Sequence, residues 1–566
     1  MRNSLVLLLV LFIIESSAQK TKLPADVVTN IEKRIQYEQS PSIVIGVIDK
    51  AGARYYNFGN VKVNGAKANE HTIYEIGSIS KVFTATLLAQ QVLDKKVKLD
   101  DPAQQYLPAQ AKVPSRAGKE ITLGNLSDHT SGLPRMPSNF APANPANPFA
   151  DYTVDQLYSF LSGYELTRDI GSAYEYSNLA QGLLGNILAL NAGTSYEALM
   201  IKTIASPLGM KETKIVLDEN MKRNLAVGYS NGVAVENWDI PTLAGAGAIR
   251  SSTHDMLKFL AANLGLKPSP LQKSMTMTHE VRHDKAGGMR VGLGWHIAAG
   301  KLGDVIWHNG GTGGYRTFAG FVKETSTGVV VLTNSSAGAD DIGFRLLNPD
   351  APLAEPKASI VPLIRKEADT KGPEAAVSLY NELKKTKTDY DFSEGVLNTL
   401  GYSYIQTNLP VALALLKLNV AQFPESSNVY DSYGEALLKN NQKELAIENY
   451  KKSVELNPGN TGGIKALEQL GVEVELKDAN VPESVLESYV GTYELFQGFN
   501  IEVTRSGKQL FAQATNQPKV EIFPKTSTEF YYKVVVASMT FNVNGEKVES
   551  LTLHQNGQNV PGKRIK

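Results

Sequence analysis

A serine and a lysine three residues apart, Ser78 and Lys81, are the pair in this sequence best suited to covalent catalysis. A serine hydroxyl is a poor nucleophile until a base takes its proton, and a lysine amine can be that base when burial lowers its pKa. Ile79, Val82 and Phe83 recur at helical spacing, which predicts a buried helix beginning near the serine. Positions i and i+3 share a helix face, so the hydroxyl and the amine are expected to meet. The alternative is a solvated helix start with a serine cap.

Tyr176 and Asn178 form a second candidate group, two residues apart before another apolar helical pattern. On an extended segment their side chains point the same way. The phenol can relay the proton of Ser78 and protonate a leaving group, and the carboxamide can hold a substrate amide. Tyr174 competes for the same role, but the spacing to Asn178 favours Tyr176. A core tyrosine with a satisfied hydroxyl is the competing interpretation.

A glycine-rich stretch follows a predicted strand and reads His308-Asn-Gly-Gly-Thr-Gly-Gly314. Glycines let the backbone pass close to a substrate, and a free N–H group there can polarise a carbonyl. Upstream, Gly292 to Ile297 is predicted to be a short strand, and its Gly-Leu-Gly-Trp portion is expected to support the site from outside.

These motifs, in this order, resemble those of the serine β-lactamases and penicillin-binding D,D-peptidases. The local sequence is most similar to class C β-lactamases and their esterase and peptidase relatives. The resemblance covers about residues 30 to 350 and rests on Glu75-Ile-Gly-Ser78-Ile-Ser-Lys81, His129-Thr-Ser-Gly-Leu-Pro134, Tyr176-Ser-Asn178, Gly292-Leu-Gly-Trp295 and Gly310-Gly-Thr-Gly-Gly314.

The resemblance implies a serine hydrolase that forms an acyl-enzyme and cleaves an amide, peptide, ester or β-lactam bond. It implies catalytic roles for Ser78 as nucleophile, Lys81 as its base partner and Tyr176 as proton shuttle. It implies substrate binding by Asn178, His308, Gly310 and Gly311. The N–H groups of Ser78 and Gly311 are expected to form the oxyanion hole.

Two departures from the family pattern bear on the substrate. His308 stands where the best β-lactamases have lysine, and an imidazole is often neutral at pH 7 and attracts a carboxylate less reliably. Met136 stands where class C enzymes place a glutamine that contacts the acylamide. Both changes favour a peptidase, an esterase or a weak β-lactamase.

The composition excludes several other classes of protein. Lys and Arg total 57, as do Asp and Glu, so nothing suggests a nucleic-acid or anionic-membrane partner. There is no cysteine, hence no disulfide or thiolate metal site. Residues 1–18 have a basic start, an apolar run and a small-residue cleavage site, which predicts a signal peptide and a periplasmic or secreted protein without stable membrane insertion.

The length predicts about three or four domains. For residues 22–350, apolar strands at both ends and helices between them predict an α/β domain whose terminal strands share one largely antiparallel sheet. The family resemblance adds helices on both faces and a helical subdomain. Residues 482–566 contain short alternating segments separated by turns, which predict a small all-β domain.

Residues 360–475 contain an internal repeat. Identical residues recur at a nearly constant spacing in the pairs Gly401 and Gly434, Ala412 and Ala446, and Pro424 and Pro458. A period of about 34 residues resembles that of tetratricopeptide repeats (TPR), which predicts paired helices and a protein or peptide partner. An ordinary pair of helical hairpins is the alternative.

Two other functions remain open at this point. The chain can be a penicillin-binding sensor or partner-binding protein with little turnover, for which slow deacylation would be the sign. His279-Glu-Val-Arg-His283 matches the pattern of zinc proteases, but the glycines soon after it disfavour the required helix. His129 is expected to make a structural hydrogen bond. We therefore predict neither a cofactor nor a metal.

Overall fold

The structure is a computed structural model of the 566-residue chain. It describes residues 22–565 except 286–288, 388, 459, 473, 475–480, 497–498, 516, 536, 545–546 and 556–557. The predicted signal peptide, residues 1–18, lies outside the described residues. None of the helices in the described part of the chain combines the length and apolar character needed to cross a bilayer.

An eight-stranded antiparallel sheet is the centre of the N-terminal region of the chain. The strands of this region are β1 (Ser42–Asp49), β2 (Gly52–Gly59), β3 (Ile73–Glu75), β4 (Ser115–Arg116), β5 (Lys119–Glu120), β6 (Gly228–Ser230), β7 (Val233–Val235), β8 (Arg250–Ser252), β9 (His283–Lys285), β10 (Met289–Val291), β11 (His296–Ala298), β12 (Val305–Gly311), β13 (Arg316–Val322) and β14 (Thr327–Thr333). The large sheet has the order β2-β1-β14-β13-β12-β11-β10-β9. The prediction that the terminal strands share one antiparallel sheet is confirmed.

Helices pack against both faces of this sheet, with α9 on one face and α1 and α11 on the other. The helices of the N-terminal region are α1 (Ala25–Gln36), α2 (Ser80–Leu93), α3 (Leu123–Ser127), α4 (Val154–Gly163), α5 (Asn178–Asn191), α6 (Tyr196–Met200), α7 (Glu219–Arg223), α8 (Ala244–Gly247), α9 (Thr253–Asn263), α10 (Gln272–Thr278) and α11 (Asp340–Leu347). Successive side chains of a strand point to opposite faces. Val44 and Val330 therefore share a core with α2, α5 and α9. Their neighbours Ile43 and Val331 pack with α1 and α11.

Residues 358–470 form consecutive helical hairpins beside a short strand pair. The elements are β15 (Ala358–Ser359), α12 (Val361–Lys371), α13 (Pro373–Thr386), β16 (Tyr390–Asp391), α14 (Glu394–Tyr404), α15 (Leu409–Gln422), α16 (Ser427–Lys439), α17 (Lys443–Leu456) and α18 (Thr461–Gln469). A Cβ on Gly401 of α14 would lie 2.7 Å from Leu416 of α15, and one on Gly434 of α16 would lie 3.2 Å from Tyr450 of α17. The repeated glycines thus lie where paired helices cross. Their assignment as TPR-like repeats stays a prediction.

The β6–β7 hairpin joins the N-terminal region to the helical hairpins. At its tip, Asn231 Nδ2 donates hydrogen bonds to Gly395 O (3.0 Å) and to Thr399 Oγ1 (2.8 Å). Val233 of β7 is buried in the same apolar cluster as Val361 and the core of α12 to α16. The two regions therefore share an apolar contact.

The last part of the chain is a closed antiparallel barrel preceded by α19 (Glu483–Tyr489). Its strands are β17 (Gly491–Phe496), β18 (Phe499–Ser506), β19 (Gln509–Ala514), β20 (Val520–Pro524), β21 (Glu529–Tyr532), β22 (Ala537–Asn544), β23 (Lys547–Gln555) and β24 (Gln558–Arg564). Inward residues such as Tyr493, Phe530 and Leu551 form its core. The predicted all-β domain is confirmed, and it is a barrel rather than an open sheet.

One predicted strand is wrong in its bounds. The expected strand from Gly292 to Ile297 is instead a turn over 292–295, followed by β11, which begins at His296. Gly294 has a φ of +69°, which lies outside the β region of backbone conformation. A Cβ there would lie 2.9 Å from the carbonyl oxygen of Lys81, so tertiary packing rather than strand pairing fixes this segment.

Candidate active site

Ser78 and Lys81 lie where the chain enters the buried helix α2. Ser78 is in a 3₁₀ turn, Gly77–Ile79, which continues directly into α2. Lys81 Nζ lies 2.9 Å from Ser78 Oγ. The i and i+3 geometry predicted from the sequence is therefore present, and the serine retains partial exposure while the lysine has none.

The Lys81 amine is held by two acceptors besides the serine. Its Nζ lies 2.9 Å from Asn178 Oδ1 and 2.7 Å from Ala246 O. Burial lowers the pKa of Lys81 well below its usual value, and the charge of Arg135 acts in the same direction. An amine in this setting can be neutral and can accept a proton.

Tyr176 reaches the same centre from the segment before α5. Its ring lies under Lys81 Nζ, which is 4.7 Å from the ring centroid, and its hydroxyl hydrogen-bonds Ser78. Burial raises the pKa of Tyr176 to about 12, although the bond to Ser78 opposes the rise. The phenol therefore keeps its proton at neutral pH and can donate it.

Asn178 is the first residue of α5, whose N-terminus is capped by Ser177. Its Oδ1 accepts from Lys81, and its Nδ2 faces the sulfur of Met136 at 3.7 Å. The carboxamide thus orients the Lys81 amine, and Met136 lies beside it. Arg135 is exposed and lies over the Tyr176 ring, 5.1 Å from its centroid.

His308 is fully buried on β12, within an aromatic group beside Tyr176. Its ring stacks on His296 with centroids 4.9 Å apart, and its Nδ1 lies 2.6 Å from Asn309 O. A carbonyl only accepts, so Nδ1 carries the proton and Nε2 has a lone pair. Burial and the neighbouring His296 and Lys81 hold the pKa of His308 well below its usual value. His308 is therefore neutral at pH 7.

The glycines of β12 allow two backbones to approach next to the nucleophile. A Cβ on Gly310 would lie 2.0 Å from Ile76 O, and one on Gly77 would lie 2.7 Å from Gly311 N. Gly77 also has a φ of +51°. Side chains at these positions would separate β12 from the turn that carries Ser78, so the glycines bring the Gly311 N–H group beside residues 77 and 78.

The segment Gly292–Trp295 supports the site from behind, as expected, although it is not a strand. Its Gly294 packs on the main chain of Lys81 and donates a hydrogen bond to Ser127 O at 3.2 Å. Trp295 is fully buried against Phe259 and Phe321. The turn therefore fixes the backbone from which the lysine projects.

The other histidines singled out in the sequence have structural contacts. His129 Nδ1 accepts a hydrogen bond from Ser177 N at 3.1 Å, which confirms the structural bond expected of it. His279 contacts Asn263 Oδ1 at 2.8 Å, and His283 contacts Asp128 Oδ2 at 3.1 Å. The helix α10 ends at Thr278, so the two histidines of the zinc-protease pattern do not share a helix face.

Sequence reasoning missed three parts of this site. Ala246 supplies a main-chain acceptor to Lys81 from a point 165 residues along the chain. Its only sequence signal is a run of small residues, Ala244–Gly247, which lets α8 approach α5 closely. His296 contacts Tyr174 through a 3.0 Å Oη–Nε2 distance, and Arg135 lies over the ring of Tyr176.

Comparisons with known proteins agree with this geometry. A protein-family model described as Beta-lactamase matches residues 27–347, and one described as Domain of unknown function (DUF3471) matches residues 476–564. A β-lactamase of Pseudomonas fluorescens is 28% identical over 345 residues, which are 54% of this chain and 92% of that protein. The D-alanyl-D-alanine-carboxypeptidase/endopeptidase AmpH of Escherichia coli (strain K12) is 30% identical over 330 residues, covering 55% of this chain and 84% of AmpH.

Solved structures give the same result. The β-lactamase/D-alanine carboxypeptidase from Yersinia pestis, solved with citrate, has a TM-score of 0.50 and 29% identity, covering 55% of this chain and 91% of that chain. A class C β-lactamase from Rhodobacter sphaeroides has a TM-score of 0.50 and 26% identity, covering 56% and 96% of the two chains. The family match, residues 27–347, contains all seven residues of the predicted site.

Proposed function

The chain belongs to the beta-lactamase family and is a serine hydrolase, and we propose that it forms an acyl-enzyme at Ser78 when it cleaves its substrate. The observation that carries this proposal is the buried Lys81 amine 2.9 Å from Ser78 Oγ. The bond cleaved is an amide, peptide, ester or β-lactam bond.

The hydrogen-bond pattern around Lys81 defines the first step. Asn178 Oδ1 and Ala246 O can only accept, so they take the two N–H groups of the neutral amine. The remaining lone pair then faces Ser78 Oγ and accepts its proton. The serine oxygen attacks the carbonyl carbon, and the negative charge that develops on the carbonyl oxygen is stabilised by the N–H groups of Ser78 and Gly311.

Tyr176 acts as the acid of the same step. Its phenol, protonated at neutral pH, donates a proton to the leaving nitrogen or oxygen as the bond to the acyl carbon breaks. The tyrosine is reprotonated by Lys81, so the proton taken from Ser78 reaches the leaving group. In deacylation a water follows the same route in reverse, and Ser78 regains its proton.

We propose that the substrate is a peptide or an ester rather than a penicillin that is rapidly hydrolysed. His308 is buried and neutral, so it supplies no positive charge for a substrate carboxylate. Met136 supplies a thioether beside Asn178, where an amide would have bound the acylamide group. The E. coli relative is named a D-alanyl-D-alanine-carboxypeptidase/endopeptidase, which supports a peptide substrate.

The proposal also covers the export of the chain and its division into domains. We propose a signal peptide over residues 1–18 and export to the periplasm or the medium. The hydrolase domain is residues 22–350, the TPR-like repeats are residues 360–475, and the β domain is residues 482–566. The repeats are proposed to bind a protein or peptide partner.

Labelling with two covalent probes tests the nucleophile. The mature protein, Ser78→Ala and Ser378→Ala are treated with a fluorescent fluorophosphonate and a fluorescent penicillin, with and without a chelator. Ser378 lies on the surface of α13 and is the matched control. We expect labelling of the mature protein and Ser378→Ala, none of Ser78→Ala, and no effect of the chelator.

The probes also separate the substrate classes. Strong fluorophosphonate labelling with weak penicillin labelling supports a peptidase or esterase. A penicillin label that fades within minutes identifies a β-lactamase, and one that persists identifies a sensor with little turnover. If a folded mature protein takes up neither probe, the acyl-serine mechanism is wrong.

A further inference from the structure

Two histidines and a glutamate form a compact cluster away from Ser78. They are His71, just before β3, His254, in the first turn of α9, and Glu212, in the segment between α6 and α7. His71 Nδ1 lies 2.9 Å from Glu212 Oε1, and His254 Nδ1 lies 3.8 Å from Glu212 Oε2. One ligand atom from each residue lies within 4.8 Å of the others.

The two-stranded ribbon β3–β8 brings the histidines together. Ile73 lies opposite Ser252 in this antiparallel pair. Continuing the register by two residues places His71 opposite His254, and their ring centroids are 4.7 Å apart. These side chains meet because the ribbon and the start of α9 are rigid elements of the fold.

A further contact orients the carboxylate. Ser252 Oγ donates a hydrogen bond to Glu212 Oε2 at 2.6 Å, and Glu212 N donates to Asp255 Oδ2 at 2.6 Å. Such outer contacts commonly fix the geometry of metal-binding side chains. Asp255 Oδ1 forms an ion pair with Lys258 Nζ at 2.7 Å, so Asp255 supports the cluster and is not one of its ligands.

We propose that His71, Glu212 and His254 bind a zinc ion, with water as the fourth ligand. Two imidazole nitrogens and one carboxylate oxygen are a common zinc donor set, with bonds of about 2.0–2.2 Å. Tetrahedral bonds of that length place ligand atoms about 3.3 Å apart. The observed separations are 2.9 Å from His71 Nδ1 to Glu212 Oε1 and 3.8 Å from His254 Nδ1 to Glu212 Oε2, and the three ligand atoms lie within 4.8 Å of one another. Rotations of the side chains would bring the three ligand atoms to the spacing that one zinc ion requires.

The ion has a structural role in this proposal. It joins the outer end of β3 to the beginning of α9, and the opposite end of β3 leads through Glu75 to the turn that carries Ser78. The acyl transfer chemistry uses no metal, so the cluster and the proposed acyl-serine site are independent. In the structure, His71 Nδ1 and Glu212 Oε1 are within hydrogen-bonding distance.

Zinc titration of the chelator-treated mature protein, purified without a histidine tag, tests this site. Isothermal titration calorimetry is expected to show one zinc per chain. The variants His71→Gln, Glu212→Gln and His254→Gln are expected to bind at least about tenfold more weakly. His283→Gln is the matched control, because this histidine belongs to the zinc-protease pattern and lies outside the cluster. Circular dichroism confirms that each variant is folded.

Two further readouts separate this site from other zinc binding. Zinc is expected to raise the thermal midpoint of the mature protein and of His283→Gln, but not that of the cluster variants. Fluorophosphonate labelling is expected to be the same with and without zinc. No zinc binding, or binding lost only in His283→Gln, or equal binding by all variants, overturns the proposal, whatever the result at Ser78.

Discussion

The Lys81 amine has no access to solvent and no carboxylate partner among the contacts described around it. Burial without an opposite charge disfavours the ammonium, which is why the pKa of this lysine falls far below its usual 10.5. The lowered pKa suits the proposed role of Lys81 as a base, and it also makes the stability of the fold depend on pH.

Lys81→Met is expected to reveal both the contribution of the lysine to acylation and its contribution to the pH dependence of stability. Acylation by an ester substrate is expected to fall about 10²- to 10⁴-fold, because general-base catalysis is lost. The variant also tests stability. At pH values between the lowered pKa of Lys81 in the folded protein and 10.5, the lysine binds a proton in the unfolded chain but not in the folded protein. The free energy of unfolding therefore rises with pH in this range.

Urea unfolding at several pH values measures this dependence. The free energy of unfolding of the natural protein is expected to increase relative to that of Lys81→Met by up to about 1.4 kcal/mol per pH unit within that window. Parallel curves for the two proteins would show that Lys81 is charged in the folded state.

His308→Lys is expected to change substrate preference. The ordinary pKa of lysine is far above that of histidine, so a lysine at this buried place would keep more positive charge than the imidazole. A charge-assisted hydrogen bond from it to the carboxylate of a penicillin corresponds to about a tenfold or larger gain in acylation. A small ester without a carboxylate is expected to gain nothing. Stopped-flow acylation of His308→Lys and of the neutral control His308→Gln by both substrates checks this. Equal changes for both substrates would contradict it.

At the scale of single residues, sequence spacing predicted the contact between Ser78 and Lys81, but it did not predict the other groups that contact Lys81. Ser78 and Lys81 meet because they are three residues apart on one helix face. The acceptor Ala246 O comes from a main-chain carbonyl, which any residue type provides. Its position depends on the close packing of α8, for which the sequence offers just the run of small residues Ala244–Gly247 as a signal.

The ribbon β3–β8 depends on a buried ion pair. Glu75 Oε1 accepts from Arg250 Nη2 at 3.4 Å and also from Trp238 N at 2.9 Å. Burial raises the pKa of Glu75, while the charge of Arg250 opposes the rise. The charge of the arginine therefore favours the ionised form of the buried Glu75 carboxylate. Glu75 lies two residues before Gly77, where the turn that carries Ser78 begins.

Arg250→Met is expected to lower the free energy of unfolding by about 3–5 kcal/mol at pH 7, because an uncompensated charge stays buried. The pKa of Glu75 is raised in the folded state, so its protonation favours folding as pH falls. Removal of the arginine charge raises the folded pKa further, so the loss is expected to shrink as pH falls from 7 towards 4.5, the ordinary value for this carboxyl, and to change no further below it. Urea unfolding at pH 4 to 8 measures it. Arg223→Met, on the exposed end of α7, is the control and is expected to stay within about 0.5 kcal/mol.

Elements were predicted best where their pattern is local. The apolar, β-branched run in β1 and the apolar runs separated by glycine-rich turns in β12 to β14 predicted strands. The nearly constant spacing of the internal repeat predicted paired helices. The prediction of a strand over Gly292–Trp295 was wrong. The apolar residues of this segment suit a strand, but Gly294 needs a positive φ to pack against Lys81 O. That requirement arises from α2, a helix much earlier in the chain, and is absent from the local pattern.

On the scale of the whole molecule, one hairpin links the hydrolase region with the helical hairpins. Asn231-Gly232 forms a tight turn with positive φ at both residues. Val233 then packs in the core of α12 to α16. The dipeptide predicts a turn, but nothing local predicts which surface the turn will meet.

Val233→Asp is expected to uncouple the two regions. A carboxylate in that apolar cluster is expected to lower the free energy of unfolding of the helical hairpins by at least about 2 kcal/mol. Differential scanning calorimetry is expected to show an earlier transition for the helical part, while ester hydrolysis at 25 °C is retained. The adjacent Ala234 is exposed, so Ala234→Asp is the matched control. A single unshifted transition in Val233→Asp would show that the contact contributes little.

The pairing of β1 with β14 also determines when the large sheet can be completed. Ile43 lies opposite Thr333, so these strand neighbours come from opposite ends of the hydrolase region. During synthesis the hairpin β1–β2 must wait with one open edge until Thr327–Thr333 has emerged from the ribosome. Contacts between such distant segments slow folding. The central sheet is therefore expected to close late, once nearly the whole hydrolase region is available for pairing.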